Sequence, residues 1–75
     1  MATSEGHDEA ARIAAFVARR RRELGVTQND LAELAGVSPR SVSAIEAGKP
    51  TMRLDILIPV LNALGIDLAE RIERS

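Results

Sequence analysis

The 75-residue chain contains no cysteine, tryptophan or tyrosine, and only one phenylalanine and one histidine. The missing cysteines exclude disulfides and thiolate metal sites, and a lone His7 in a polar stretch provides neither a metal cluster nor a catalytic base with partners. No Ser/His/Asp or Cys/His set and no phosphate-binding glycine loop is present, so no enzymatic activity, cofactor or metal is expected. Phe16, the sole aromatic, is expected in the core, which argues against a surface that stacks single-stranded bases. No apolar run approaches the roughly 18 residues of a membrane span. The opening MATSEGHDEA has neither the basic region nor the apolar stretch of a secretory signal, so a cytoplasmic location is expected.

A chain this short, 45% hydrophobic and 28% charged, forms one small domain. Below roughly 70–80 residues a fold usually needs a disulfide, a metal or a partner subunit. With the first two excluded, a homodimer is expected.

What the chain does have is concentrated between Gln28 and Ala47, QNDLAELAGVSPRSVSAIEA. Ala32 stands where two helices would touch and Gly36 where the turn between them requires a positive φ. Leu31, Val37, Val42 and Ile45 have the spacing that joins both helices into one core. This is the pattern of a helix-turn-helix, a unit that places a helix in the major groove of DNA. A net charge of −1 and a pI near 5.7 do not oppose that reading, because the charges are segregated. Residues 1–11 carry −3, residues 12–53 carry +4 and residues 54–75 carry −2. The field that matters is local over a Debye length of about 8–10 Å.

Residues 1–8 lack any period and are expected as a flexible tail, with residues 9–75 as the single domain. A first helix is expected from about Asp8 to Leu24, with Ile13, Phe16, Val17, Arg20 and Leu24 on one stripe and Gly25 as its stop. Thr27 and Asp30 have capping-box spacing before a second helix that runs to about Ala35. Ser38-Pro39 is the start signal of a third, ending near Ala47-Gly48. A fourth shows Leu54, Leu57, Ile58, Leu61 and Leu64 at core spacing. Ile56 and Val60 form a second apolar edge suited to a partner, and Pro59 is expected to kink or loosen the helix. After Gly65, residues 66–72 fit either a strand (Ile66, Leu68 and Ile72 on one face) or a further helical turn (Leu68 and Ile72), and the strand requires pairing from a second subunit.

From about Ile13 to Leu68 the sequence resembles the Cro/lambda-repressor-type (Xre) DNA-binding domains, carried by LGVTQNDLAELAGVSPRSVSAIEAGK. Within that superfamily, GKPTMRLDILIPVLNALGIDL is similar to the tail of HipB-like antitoxins, with Pro59 departing from their usual polar or basic residue. The resemblance implies a mainly α, lambda-repressor-like four-helix domain with a helix-turn-helix. It further implies a homodimer whose carboxyl-terminal strands pair, which favours a strand at residues 66–72. The dimer interface would then comprise Ile56, Val60, Ile66, Leu68 and Ile72. The work implied is to bind a palindromic operator in its own promoter, on the nucleoid, and to restrain a HipA-like serine/threonine kinase toxin.

In such a domain the third helix enters the groove by its amino end, so Ser38, Pro39, Arg40, Ser43 and Ala44 are expected to meet base edges. Arg40 is the principal candidate, since a guanidinium can donate twice to guanine O6 and N7; the alternative is that it touches only phosphate. Gln28 resembles the family's phosphate-binding glutamine at a helix amino terminus, and Thr27, Asn29, Ser41, Lys49 and Arg53 could serve likewise. Arg21 and Glu46 match a family ion pair that orients the recognition helix. For Arg19, Arg20 and Arg22, phosphate contact and plain solubility stay open. Two other readings also stay open. One is a repressor without a toxin, distinguished by the lack of a neighbouring kinase-like reading frame. The other is a protein-interaction module that keeps the helices as scaffold, against which the basic contact positions count.

Overall fold

Four helices make up the computed structural model, which describes residues 2–50 and 53–65: α1 (Ala2–Glu23), α2 (Gln28–Ala35), α3 (Pro39–Glu46) and α4 (Leu54–Ala63). No strand occurs among the described residues. The expected strand at residues 66–72, with interface residues Ile66, Leu68 and Ile72, lies outside them.

α1 begins at Ala2 rather than Asp8, so residues 2–8 continue the helix where a flexible tail was expected. Alanine and glutamate are strong helix formers, and acidic residues near a helix start complement the positive end of its dipole. The buried stripe of α1 also differs from the expected one. Ala10, Ala14, Val17 and Ala18 are buried, Ile13 and Phe16 pack at the edge of the core, and Leu24 is exposed. The turn after α3 comes close to α1 at Ala10 and Ala14: a Cβ built on Gly48 would lie 3.8 Å from the Ala14 Cβ and 4.0 Å from the Ala10 carbonyl oxygen.

α2 starts on a complete capping box. The Thr27 hydroxyl accepts from the Asp30 N–H at 3.0 Å, and the Asp30 carboxylate accepts from the Thr27 N–H at 3.0 Å. It ends at Gly36, whose φ of 72° turns the chain so that the Val37 N–H reaches the Ala32 carbonyl at 3.0 Å. Two residues later the Ser38 hydroxyl accepts from the Ser41 N–H at 3.1 Å, and Pro39, which has no N–H to satisfy, opens α3.

α2 packs on α3 and α4, and α1 packs on α3. Their common core is built from Val17, Leu31, Ala32, Val42, Ile45, Leu57, Val60, Leu61 and Leu64. On α4 the inward stripe is Leu57, Val60, Leu61 and Leu64, whereas Leu54 is 63% exposed. This corrects one expected interface residue: Val60 is fully buried in its own subunit's core, while Ile56 is half-buried against that core. Asp55 and Asn62, seven positions apart on one exposed face, lie opposite this stripe, which turns Val60 in and Leu54 out. Pro59 does not end α4, which runs through it. The carbonyl that loses its donor belongs to Asp55, an exposed first-turn residue that water can reach.

Gly36 provides a test of the turn. Nothing lies within 4 Å of a Cβ added there, so Gly36→Ala should lower the unfolding free energy by about 1–2 kcal/mol through backbone conformation alone. Gly36→Asn should recover part of that in urea melts, and equal losses for both would place the effect elsewhere.

Candidate nucleic-acid interface

α3 divides its residues cleanly. Val42 and Ile45 are buried, while Ser38, Pro39, Arg40 and Ser43 are exposed and Ala44 is half-buried. Arg40 makes no hydrogen bond or ion pair among the described residues, so its guanidinium is available to a ligand. Ser38 is engaged differently: its hydroxyl caps α3 and lies 3.0 Å from the Ser41 hydroxyl. Ser41 is therefore half-buried against its neighbour rather than presented alone.

The other expected contact residues fall into two groups. Asn29 and Lys49 are exposed and unpaired among the described residues. Thr27 is exposed but holds the capping box, and Arg53 donates to Asp55 through Nε at 3.1 Å and Nη2 at 2.9 Å. Any phosphate contact by Arg53 thus competes with an exposed carboxylate, and such exposed pairs contribute at most about 1 kcal/mol.

Three of the singled-out residues meet at one point. Arg21 of α1 donates to Glu46 of α3 through Nε at 2.7 Å and Nη2 at 3.1 Å, a bidentate pair with side chains only 15% and 8% exposed. Its Nη1 donates to the Val26 carbonyl at 2.9 Å, in the loop before α2. Gln28 then donates from Nε2 to Glu46 Oε1 at 3.0 Å. Burial pushes the Glu46 carboxyl up, but the hydrogen bonds from Arg21 and Gln28 and the charges of Arg21 and Arg22 outweigh it and hold the carboxyl below its ordinary value. The hydrogen bond to Glu46 correspondingly raises Arg21.

The basic run at the end of α1 has more than one job. Arg20 donates from Nε to the Leu64 carbonyl at 3.1 Å, closing the carboxyl end of α4 from 44 positions away. No local sequence signal marks that contact. Arg19 lies 6.0 Å from the Phe16 ring centroid, and Arg22 is exposed.

A capped helix, a glycine turn and a second helix with one buried and one open face constitute a helix-turn-helix. The helix-turn-helix family model matches residues 17–71. An uncharacterised HTH-type transcriptional regulator of Sinorhizobium fredii is 40% identical over 58 residues, covering 77% of this chain and 76% of that protein. Another from Methanothermobacter thermautotrophicus is 36% identical over 57 residues, covering 76% and 83%. No solved structure gives a significant match. The chain belongs to the Xre/Cro-type helix-turn-helix family of DNA-binding transcription regulators.

The ion pair makes a pH prediction. A carboxyl depressed in the folded state stabilises fully above its unfolded pKa of about 4.3, and that contribution is lost as pH falls through the folded value. Glu46→Gln should cost about 2 kcal/mol at neutral pH, less than the roughly 3–5 kcal/mol of a fully buried broken pair. The gap from wild type should narrow on acidification below about pH 4. Denaturant melts across pH check this, and a gap that is the same at all pH values would contradict it.

Proposed function

We propose that this regulator is a repressor that binds a palindromic operator in its own promoter as a homodimer and is the antitoxin of a HipA-like kinase toxin. The observation that carries the DNA reading is the open face of α3, where Arg40, without a partner among the described residues, stands opposite buried Val42 and Ile45. Arg40 donates to guanine O6 and N7, Ser43 to a neighbouring base edge, and Pro39 and Ala44 contact thymine methyls. Ser38 completes the amino end of the helix while it caps it. Gln28, Asn29, Lys49 and Arg53, with Thr27 and Ser41, hold phosphates and so set the register.

Two recognition helices in a dimer read half-sites about one turn apart, roughly 34–36 Å, or a small multiple of it. Ile56 with Ile66, Leu68 and Ile72 form the dimer surface in this reading, and Val60 supports it from within. The protein acts in the cytoplasm, on the nucleoid. The toxin partner rests on the resemblance of the GKPTMRLDILIPVLNALGIDL segment to HipB-like antitoxins. A repressor without a toxin is the second reading, favoured by relatives that are named only as transcriptional regulators.

Substitution separates reading from holding. Arg40→Ala should weaken operator binding by about 1–3 kcal/mol and leave a scrambled duplex nearly unchanged, whereas Gln28→Ala should weaken both. Equal loss on both duplexes for Arg40→Ala would reduce Arg40 to a phosphate contact. Copurification with a kinase encoded beside this gene would support the antitoxin role, and the absence of such a gene would leave the simple repressor.

A further inference from the structure

The amino end of α2 is fixed more than once. The capping box joins Thr27 to Asp30 with two bonds of 3.0 Å, and Arg21 Nη1 holds the Val26 carbonyl at 2.9 Å immediately upstream. The helix start therefore does not need the side-chain bond between Gln28 and Glu46. That bond instead fixes the Gln28 amide, a group on three rotatable bonds that an exposed position would leave mobile.

The chemistry of the acceptor matters. An ionised carboxylate only accepts, so the group that faces Glu46 must be the amide nitrogen. One N–H of Nε2 is used there at 3.0 Å, and the second stays on the same nitrogen. Beside it, the backbone N–H groups of Gln28 and Asn29 have no partner among the described residues, as expected at a helix start. Glu46 is itself held by two bonds from Arg21, so the acceptor is a fixed point.

We infer that Glu46 is a positioning residue for DNA binding: anchored by Arg21, it pre-orders the Gln28 amide so that a phosphate meets a fixed donor. The inference rests on the proposed phosphate contact of Gln28. It assigns the Arg21–Glu46 pair a role on the backbone-contacting side of the motif, beyond orienting α3. A donor ordered before binding loses less rotamer freedom when the phosphate arrives.

A double-mutant cycle tests it, using wild type, Gln28→Ala, Glu46→Gln and the double variant on the promoter fragment and a scrambled duplex, well below the melting temperature. Gln28→Ala is expected to lose about fivefold or more on both duplexes. Glu46→Gln should lose clearly more affinity in the wild-type background than in the Gln28→Ala background, where only its effect through α3 remains. The negative charge it removes acts alike in both backgrounds and cancels in the cycle. No loss for Gln28→Ala on either duplex would overturn the phosphate reading itself. A Gln28→Ala loss with an equal Glu46→Gln effect in both backgrounds would overturn the positioning role alone. The Gln28 side-chain amide in 15N relaxation should be ordered in free wild type and mobile in Glu46→Gln, and unchanged order would also overturn the role. If Glu46→Gln does not fold, Glu46→Asp keeps the charge for Arg21 while drawing the acceptor away from Gln28, with the same expected outcomes.

Discussion

The Arg21–Glu46 ion pair is the constraint on which the binding surface depends. α2 and α3 are eight residues each, too short to be stable alone, so their relative placement must come from tertiary contacts. Apolar packing of Leu31, Ala32, Val42 and Ile45 brings the two helices together, but the hydrophobic driving force is itself non-directional. The bidentate pair adds direction: one guanidinium reaches α3 through Glu46 and the loop before α2 through Val26. Two segments are thereby referred to a single planar group on the long α1, and the outward face of α3 inherits its orientation from it. A partly buried ion pair is weak evidence for net stability, and its value here is geometric.

Two further contacts extend the same logic to the ends of the domain. The turn after α3 rests on alanines of α1 near Gly48, which sets where Lys49 leaves the body of the protein. Arg20, adjacent to Arg21, closes α4 through the Leu64 carbonyl. Neighbouring arginines on α1 thus tie down α3 and α4, and a run that reads as a solvated helix end is divided between brace, cap and exposed charge.

The legible part of the fold was the part specified locally. Thr27 with Asp30, Gly36, and Ser38 with Pro39 are capping and turn signals within a few residues of the structure they produce, so α2, its turn and α3 could be read directly. The Arg21–Glu46 partners came from family resemblance, since no local rule links positions in different helices. What could not be read was long-range. A turn from elsewhere approaches the small alanines on the inward face of α1, and that approach has no signature in α1 itself. On α4 the polar Asp55 and Asn62 share one face and point Leu57, Val60, Leu61 and Leu64 inward, but this signal rests on two residues and is blurred by the apolar Leu54 and Ile58 beside them. The sequence offers Gln28 only as an expected phosphate contact, and its bond to Glu46 requires the two helices to be assembled first.

The central claim is that this surface reads a sequence in DNA rather than merely carrying charge. Its most direct test is a fluorescence-anisotropy titration of the purified protein on its own upstream promoter fragment and on a scrambled duplex, at two salt concentrations. The account predicts tighter binding to the promoter fragment, with affinity for both duplexes falling steeply as salt rises, by about 0.9 log units per log unit of salt for each phosphate neutralised. Equal binding to the two duplexes, or none to either, would contradict it.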